Sequence, residues 1–397
     1  VTLIWAASGV AYAAADWELD LDGRLVNVKG PLPLIDGGLG ATRFGGDQSG
    51  VRLGRARFAL AETFAQVWSI HLDASSWGDH DKIPAGLTEA YLQWRPYPWA
   101  AGWRLRVKGG AFYAPISLEN RSGGWESPYT LSYSAIDSWI AQEVRTIGAE
   151  AQLDWLGTRT GHDFDLELTT GVFGWDDSAG AALANGGFTL TDRQTVLWGR
   201  VGKPGVPPLY GAEPFREMDG NAGVYAGLEG RYLDRLVVRF LRYDNEANPS
   251  AVDTVSRTVA WNTTFNSAGA RFDGSSGWTA IFQWLDGQTH ISPDGFYTQW
   301  PFRARYLLVA KRFGERHTIS ARYDRFEVEG DDDGWQKGHA ITLAYVFRPG
   351  VRWRLTLEWL RVVSTSYNRE EYEEGPPAAS QTQAQLAIRY ALGPLAR

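Results

Sequence analysis

Trp353-Arg354-Leu355-Thr356-Leu357-Glu358-Trp359 places a large apolar residue at every second position and a polar one between. A helix would space its apolar side chains three and four apart, so a period of two belongs to a strand with one oily and one wet face. The pattern returns at Trp103-Arg-Leu-Arg-Val-Lys108, at Phe164-Asp-Leu-Glu-Leu-Thr169 and at Trp278-Thr-Ala-Ile-Phe-Gln-Trp284. Each such stretch runs for about ten residues, the length of a tilted strand crossing a bilayer.

The connections separate a soluble sandwich from a membrane barrel. Tight turns fall near 61–63, 96–102, 157–162, 233–235, 273–276, 314–316 and 348–351, with signals such as Asp273-Gly274 and Arg348-Pro349-Gly350. Longer polar segments lie between them, near 30–49, 75–86, 115–143, 176–222, 245–256, 288–301, 329–337 and 365–381. Short and long alternate, as in a transmembrane antiparallel β-barrel with short periplasmic turns and long extracellular loops. The expectation is an all-β fold of about 16 strands, or 18 if 176–222 hides a hairpin around Thr195-Val196-Leu197-Trp198. Exposing Arg104, Arg106 and Lys108 together to mid-bilayer lipid would cost roughly 6–12 kcal/mol, so these three are expected to face water. Trp103, Trp278, Tyr306, Tyr345, Trp353 and Trp359 are then expected in interfacial girdles on the opposite face. The competing reading puts the aromatics in the core of a soluble β-sandwich, which would not need so many charged inner positions.

Composition removes other classes. The 397 residues include no cysteine, so disulfide scaffolds, thiolate metal sites and cysteine nucleophiles are excluded. A net charge of -7 argues against a nucleic-acid binder, and no apolar run is long enough for a membrane helix. Residues 1–15 are small and apolar, and Ala11-Tyr12-Ala13 fits a signal-peptide cleavage rule, so 1–13 is expected to be a signal-peptide remnant and 14–397 a single barrel domain. A buried N-terminal helix is the alternative. Together with the barrel, export points to the bacterial outer membrane.

Leu105-Arg-Val-Lys-Gly-Gly-Ala-Phe-Tyr-Ala-Pro-Ile-Ser-Leu-Glu119 resembles the phosphate-selective porin O and P family, where a strand ends in Gly-x-Phe-x-x-Pro and runs into Ser-Leu-Glu. Arg52-Leu-Gly-Arg-Ala-Arg57, Glu89-Ala-Tyr-Leu-Gln-Trp94 and Arg145-Thr-Ile-Gly148 resemble its neighbouring segments, so the likeness covers roughly residues 17–155. It implies an outer-membrane porin passing small hydrophilic, anionic, phosphate-like solutes, set as a homotrimer among outer-membrane lipid and lipopolysaccharide. It also implies that the loop at 115–143 folds inward, with Glu119, Arg121, Glu126 and Asp137 as constriction residues; an outward solvent loop is the alternative. The chain departs from the family in ending Tyr390-Ala-Leu-Gly-Pro-Leu-Ala-Arg397 rather than on an aromatic, and it has no dense Lys cluster.

The period of two assigns Arg55, Arg57, Arg104, Arg106 and Lys108 to the pore wall of the second and fifth strands, and Arg303, Arg305 and Lys311 to that of the twelfth. Such clustering would favour anions, unless the charges pair across strands. Asp176-Asp177, Asp331-Asp332-Asp333 and Glu370-Glu371-Tyr-Glu373-Glu374 read as solvated loop tips, or as cation sites bridging lipopolysaccharide. The six histidines show no metal-ligand spacing, and neither metal, cofactor nor nucleic acid is expected. An outer-membrane barrel enzyme hydrolysing lipid or peptide is the competing function, with Ser320 near His317 as its only pointer.

Overall fold

The computed structural model describes residues 16–78, 85–203, 205–207, 209, 212–255, 258–330, 335–372 and 375–394. The signal-peptide remnant, His80, the Asp331–Asp333 cluster, and Glu373 and Glu374 lie outside the described residues.

Sixteen antiparallel strands close into one barrel in chain order. They are β1 (Asp16–Lys29), β2 (Gly50–Phe64), β3 (Trp68–Ser76), β4 (Ala85–Trp94), β5 (Trp103–Phe112), β6 (Thr146–Trp155), β7 (Phe164–Gly174) and β8 (Gly223–Tyr232). The second half is β9 (Leu236–Asp244), β10 (Asn262–Asp273), β11 (Trp278–Ile291), β12 (Thr298–Phe313), β13 (His317–Val328), β14 (Gln336–Gly350), β15 (Trp353–Ser366) and β16 (Ala378–Leu392). Closure comes from β1, which pairs Leu21 with Tyr390 of β16 on one side and with Ala56 of β2 on the other. A closed ladder leaves no unpaired edge, as backbone in lipid requires. The first hairpin turns at 65–67 rather than at 61–63. Glu62 breaks the outward apolar row, but the row resumes at Phe64, which pairs with Trp68.

The outer face carries an apolar belt: Leu25, Phe58, Leu168, Leu228, Phe240, Phe282, Leu307, Leu343, Leu357 and Ile388 are all exposed. Near the short turns the same face ends in Trp17, Trp68, Trp103, Phe164, Tyr232, Trp278, Phe313 and Trp353, rings suited to a membrane–water boundary. Tyr306 does not belong to this girdle. It is 1% exposed and points inward, where its hydroxyl donates to Gln283 Oε1 at 3.1 Å.

Three long connections enter the barrel. Loop 1 (30–49) buries Leu34, Leu39 and Arg43. Loop 3 (113–145) carries helix α1 (Ala135–Glu143), all nine residues of which are buried. Ser134 caps it, its Oγ accepting from Asp137 N at 3.1 Å. Loop 4 (175–222) carries α2 (Ala181–Gly186) and runs inside as far as Leu197. Thr195–Trp198 therefore forms no extra hairpin, and Leu197 instead packs on Ala111 and Phe215. Asp176 and Asp177 are not solvated tips but 1% and 2% exposed. The core is thus in the lumen, where Trp139 of α1 meets Phe188, Phe265 and Phe302 edge-on.

Glu143 joins α1 to α2 by accepting from Ala182 N at 2.7 Å, Leu183 N at 2.8 Å and Trp139 Nε1 at 2.9 Å. Burial pushes its carboxyl up to about 7, against the pull of those N–H donors toward the anion. An acid raised from 4.5 to about 7 on folding holds its proton more tightly in the folded state, so its contribution to stability falls as pH rises between those values. Protease cleavage within loop 4 is expected to speed up from pH 4.5 to 7 and to lose that pH dependence in Glu143→Gln; an unchanged profile in the variant would exclude Glu143 as its source.

Candidate functional site: the lumen wall and loop 3

The inner faces of β2 and β5 carry Arg55, Arg57, Arg104, Arg106 and Lys108, and each has a carboxylate partner. Arg57 pairs with Glu18 (2.6 Å), Asp20 (2.9 Å) and Asp73 (2.6 Å). Arg104 reaches Asp154 at 2.8 Å, Arg106 reaches Asp154 and Glu167 at 2.7 Å each, and Lys108 reaches Glu150 at 3.0 Å. Arg55 pairs with Glu126 of loop 3. Five cations thus meet seven carboxylates, and the wall carries no net positive field. Gly124 (φ +68°) lets loop 3 approach it, since a Cβ there would lie 2.5 Å from Arg57 Nε.

Arg303, Arg305 and Lys311 are not pore-lining. Phe302, Ala304, Tyr306, Leu308 and Ala310 face inward on β12, and the odd-numbered residues face out. The inner row of β12 is apolar because it packs under α1, so oil and charge have exchanged their usual faces over this part of the wall.

Loop 3 lies flat against β11–β15. Arg322 of β13 donates to Glu119 Oε1 and Asp324 Oδ2, each at 2.8 Å, and to the carbonyls of Ser132 (2.8 Å) and Tyr133 (2.7 Å). Glu358 accepts from Leu131 N at 2.6 Å, and Gln283 Nε2 donates to Ile116 O at 2.9 Å. Glu119 and Asp137, expected at a constriction, are 0% exposed: Glu119 faces Arg322, and Asp137 accepts from Ser117 Oγ at 2.8 Å. Glu126 is also buried; desolvation would raise its carboxyl, but Arg389 and Arg55 hold it down to about 2. Of the four, Arg121 alone is exposed. Desolvation, then the Arg271 and Arg239 guanidiniums, pull Arg121 below its ordinary value.

A recess of ≈ 410 Å³ opens at the short-turn end of the lumen, lined by Tyr129, Arg271, Asp273, Arg312 and Arg348 among others. Asp273 is its one carboxylate, and Arg271 takes it at 2.8 Å. Arg312 and Arg348 have no carboxylate partner among the described residues. The sequence reading passed over both. With β12 in the correct phase, Arg312 follows directly as the inward cation of that strand.

Many solved structures share this fold. The outer membrane channel DcaP of Acinetobacter baumannii superposes with a TM-score of 0.56 at 10% identity, covering 95% of this chain and 97% of that one. The anion-selective porin of Comamonas acidovorans gives 0.52 at 13% identity over 96% and 99%. In-vitro folded OmpT of Vibrio cholerae, in trimer form, gives 0.51 at 10% identity over 95% and 99%. No protein-family model and no curated protein matches the chain. The fold is that of the outer-membrane porins, and the barrel with its apolar belt belongs in the bacterial outer membrane.

Proposed function

We propose that this barrel is a porin for passive diffusion of small hydrophilic anions bearing carboxylate or phosphate. One observation carries the reading: a lumenal recess lined by three arginines and one carboxylate. The exposed Arg121 of loop 3 lies close enough to Arg271 to feel its charge. Guanidinium forks match both anion types, and like charges sharing a water-filled recess enrich counter-ions. The O and P family resemblance adds phosphate as the natural solute to try first. The reading includes a homotrimer, the form described for the Vibrio cholerae relative in fold. The hydrolase alternative loses its only pointer. Ser320 faces inward and donates to Tyr129 O at 2.8 Å, whereas His317 faces outward beside Tyr345, so the two cannot share a proton.

Single-channel recording of the purified protein in a tenfold KCl gradient tests this. A reversal potential on the chloride side is expected, largest at low salt. A potential on the potassium side overturns it.

A further inference from the structure

The outward face of β11–β14 carries an arginine pair that the pore reading leaves unused. Arg305 of β12 stands directly opposite Arg325 of β13, and on its other side opposite Trp284 of β11. His339 of β14 stands opposite Arg325. These side chains lie one outward step beyond Leu307, Tyr323 and Ile341 of the apolar belt, toward the long-loop end. Together Trp284, Arg303, Ala304, Arg305, Arg325, Phe326 and Glu327 line a recess of ≈ 320 Å³ on the outer wall.

The nearby acids are mostly engaged. Glu327 pairs with Arg303 and Lys337, and Glu329 with Arg303. Asp286 stands opposite Arg303, not Arg305. Arg305 and Arg325 have no carboxylate partner among the described residues. Like charges directly opposite on a sheet repel, and a lipid-facing arginine is tolerated only near the interface. Two forks at headgroup depth beside an indole are arranged for an anion with several oxygens.

We propose that Arg305 and Arg325 bind the phosphate of a phosphorylated glycolipid in the outer leaflet. The proposal rests on the outer-membrane placement and is independent of the pore's selectivity. A headgroup phosphate reaches this depth because its acyl chains lie along the belt below, an anchorage that free phosphate lacks.

Native mass spectrometry of the folded barrel tests it, using a phosphorylated glucosamine-disaccharide lipid, its dephosphorylated counterpart and inorganic phosphate. The wild type is expected to retain the phosphorylated lipid at least tenfold more tightly than Arg305→Gln/Arg325→Gln does. The dephosphorylated lipid should bind both proteins alike, and Lys337→Gln, which removes a rim charge already paired with Glu327, should bind like wild type. Equal retention by wild type and double variant overturns the proposal. So does displacement by equimolar inorganic phosphate, which would make the site one for free anion, or a change in oligomeric state of the double variant, which would make the patch a contact between copies. Reversal potential should not move in the double variant, so failure of this site and failure of the anion-pore reading are told apart.

Discussion

Arg322→Met is expected to free loop 3 from the wall and raise single-channel conductance, with frequent switching between levels. Arg322, Glu119 and Asp324 have fully buried side chains, so this ion triad draws nothing from solvent. Deleting the cation leaves two buried carboxylates unpaired and two carbonyls, of Ser132 and Tyr133, without their donor. Breaking a buried pair in this way costs about 3–5 kcal/mol. The barrel wall should survive, because β13 keeps its full ladders to β12 and β14. The loss falls on loop 3, whose other ties to this part of the wall are hydrogen bonds: Gln283 accepts from Leu118 N and donates to Ile116 O, Glu358 accepts from Leu131 N and Ser132 N, and Ser320 donates to Tyr129 O. Each is worth about 1 kcal/mol, or up to about 3 where the carboxylate is charged. Glu358→Gln should therefore give a smaller change. Arg322→Lys, which keeps the charge but loses the fork, should fall between. Conductance and noise equal to wild type in Arg322→Met would mean that the buried triad does not hold loop 3, and that its apolar packing and its other polar ties, among them Glu126 with Arg55 and Arg389, suffice.

How much of this was legible in the sequence differs between the wall and its contents. All sixteen strands follow from period-two stretches like Trp353–Trp359, because one face of each strand meets lipid and the other mostly polar groups. The rule fails on β12, where Arg303 and Arg305 were read as inward and Tyr306 as outward. That reading assumes a wet lumen, but α1 makes the lumen dry at this point, and the charges stand on the outer face. The same cause hid the role of Glu119 and Asp137. A carboxylate on a loop reads as solvated unless its partner is known, and the partner of Glu119, Arg322, is 203 residues away. Asp176 and Asp177 were misjudged similarly, since nothing local signals that loop 4 turns into the barrel.

The charge that gives the lumen its anion preference is expected to reside on Arg312 and Arg348 rather than on β2 and β5. Arg312 to Gln with Arg348 to Gln should move the reversal potential toward cations, most strongly at low salt. Their strands are two apart, roughly 10 Å at the usual inter-strand spacing, so their potentials overlap within about one Debye length. Arg271 is already matched by Asp273 and cannot replace them. The contrasting wall needs care with sign. Replacing Arg104 and Arg106 by Gln would also favour cations, but only by exposing the charge of Asp154 and Glu167, which those arginines now neutralise. The fourfold variant Arg104→Gln/Arg106→Gln/Asp154→Asn/Glu167→Gln removes both signs together and is expected to leave reversal potential where it was. Should the fourfold variant shift the potential as far as the Arg312 and Arg348 pair does, the selective field would belong to the β5 wall and the recess would be a bystander.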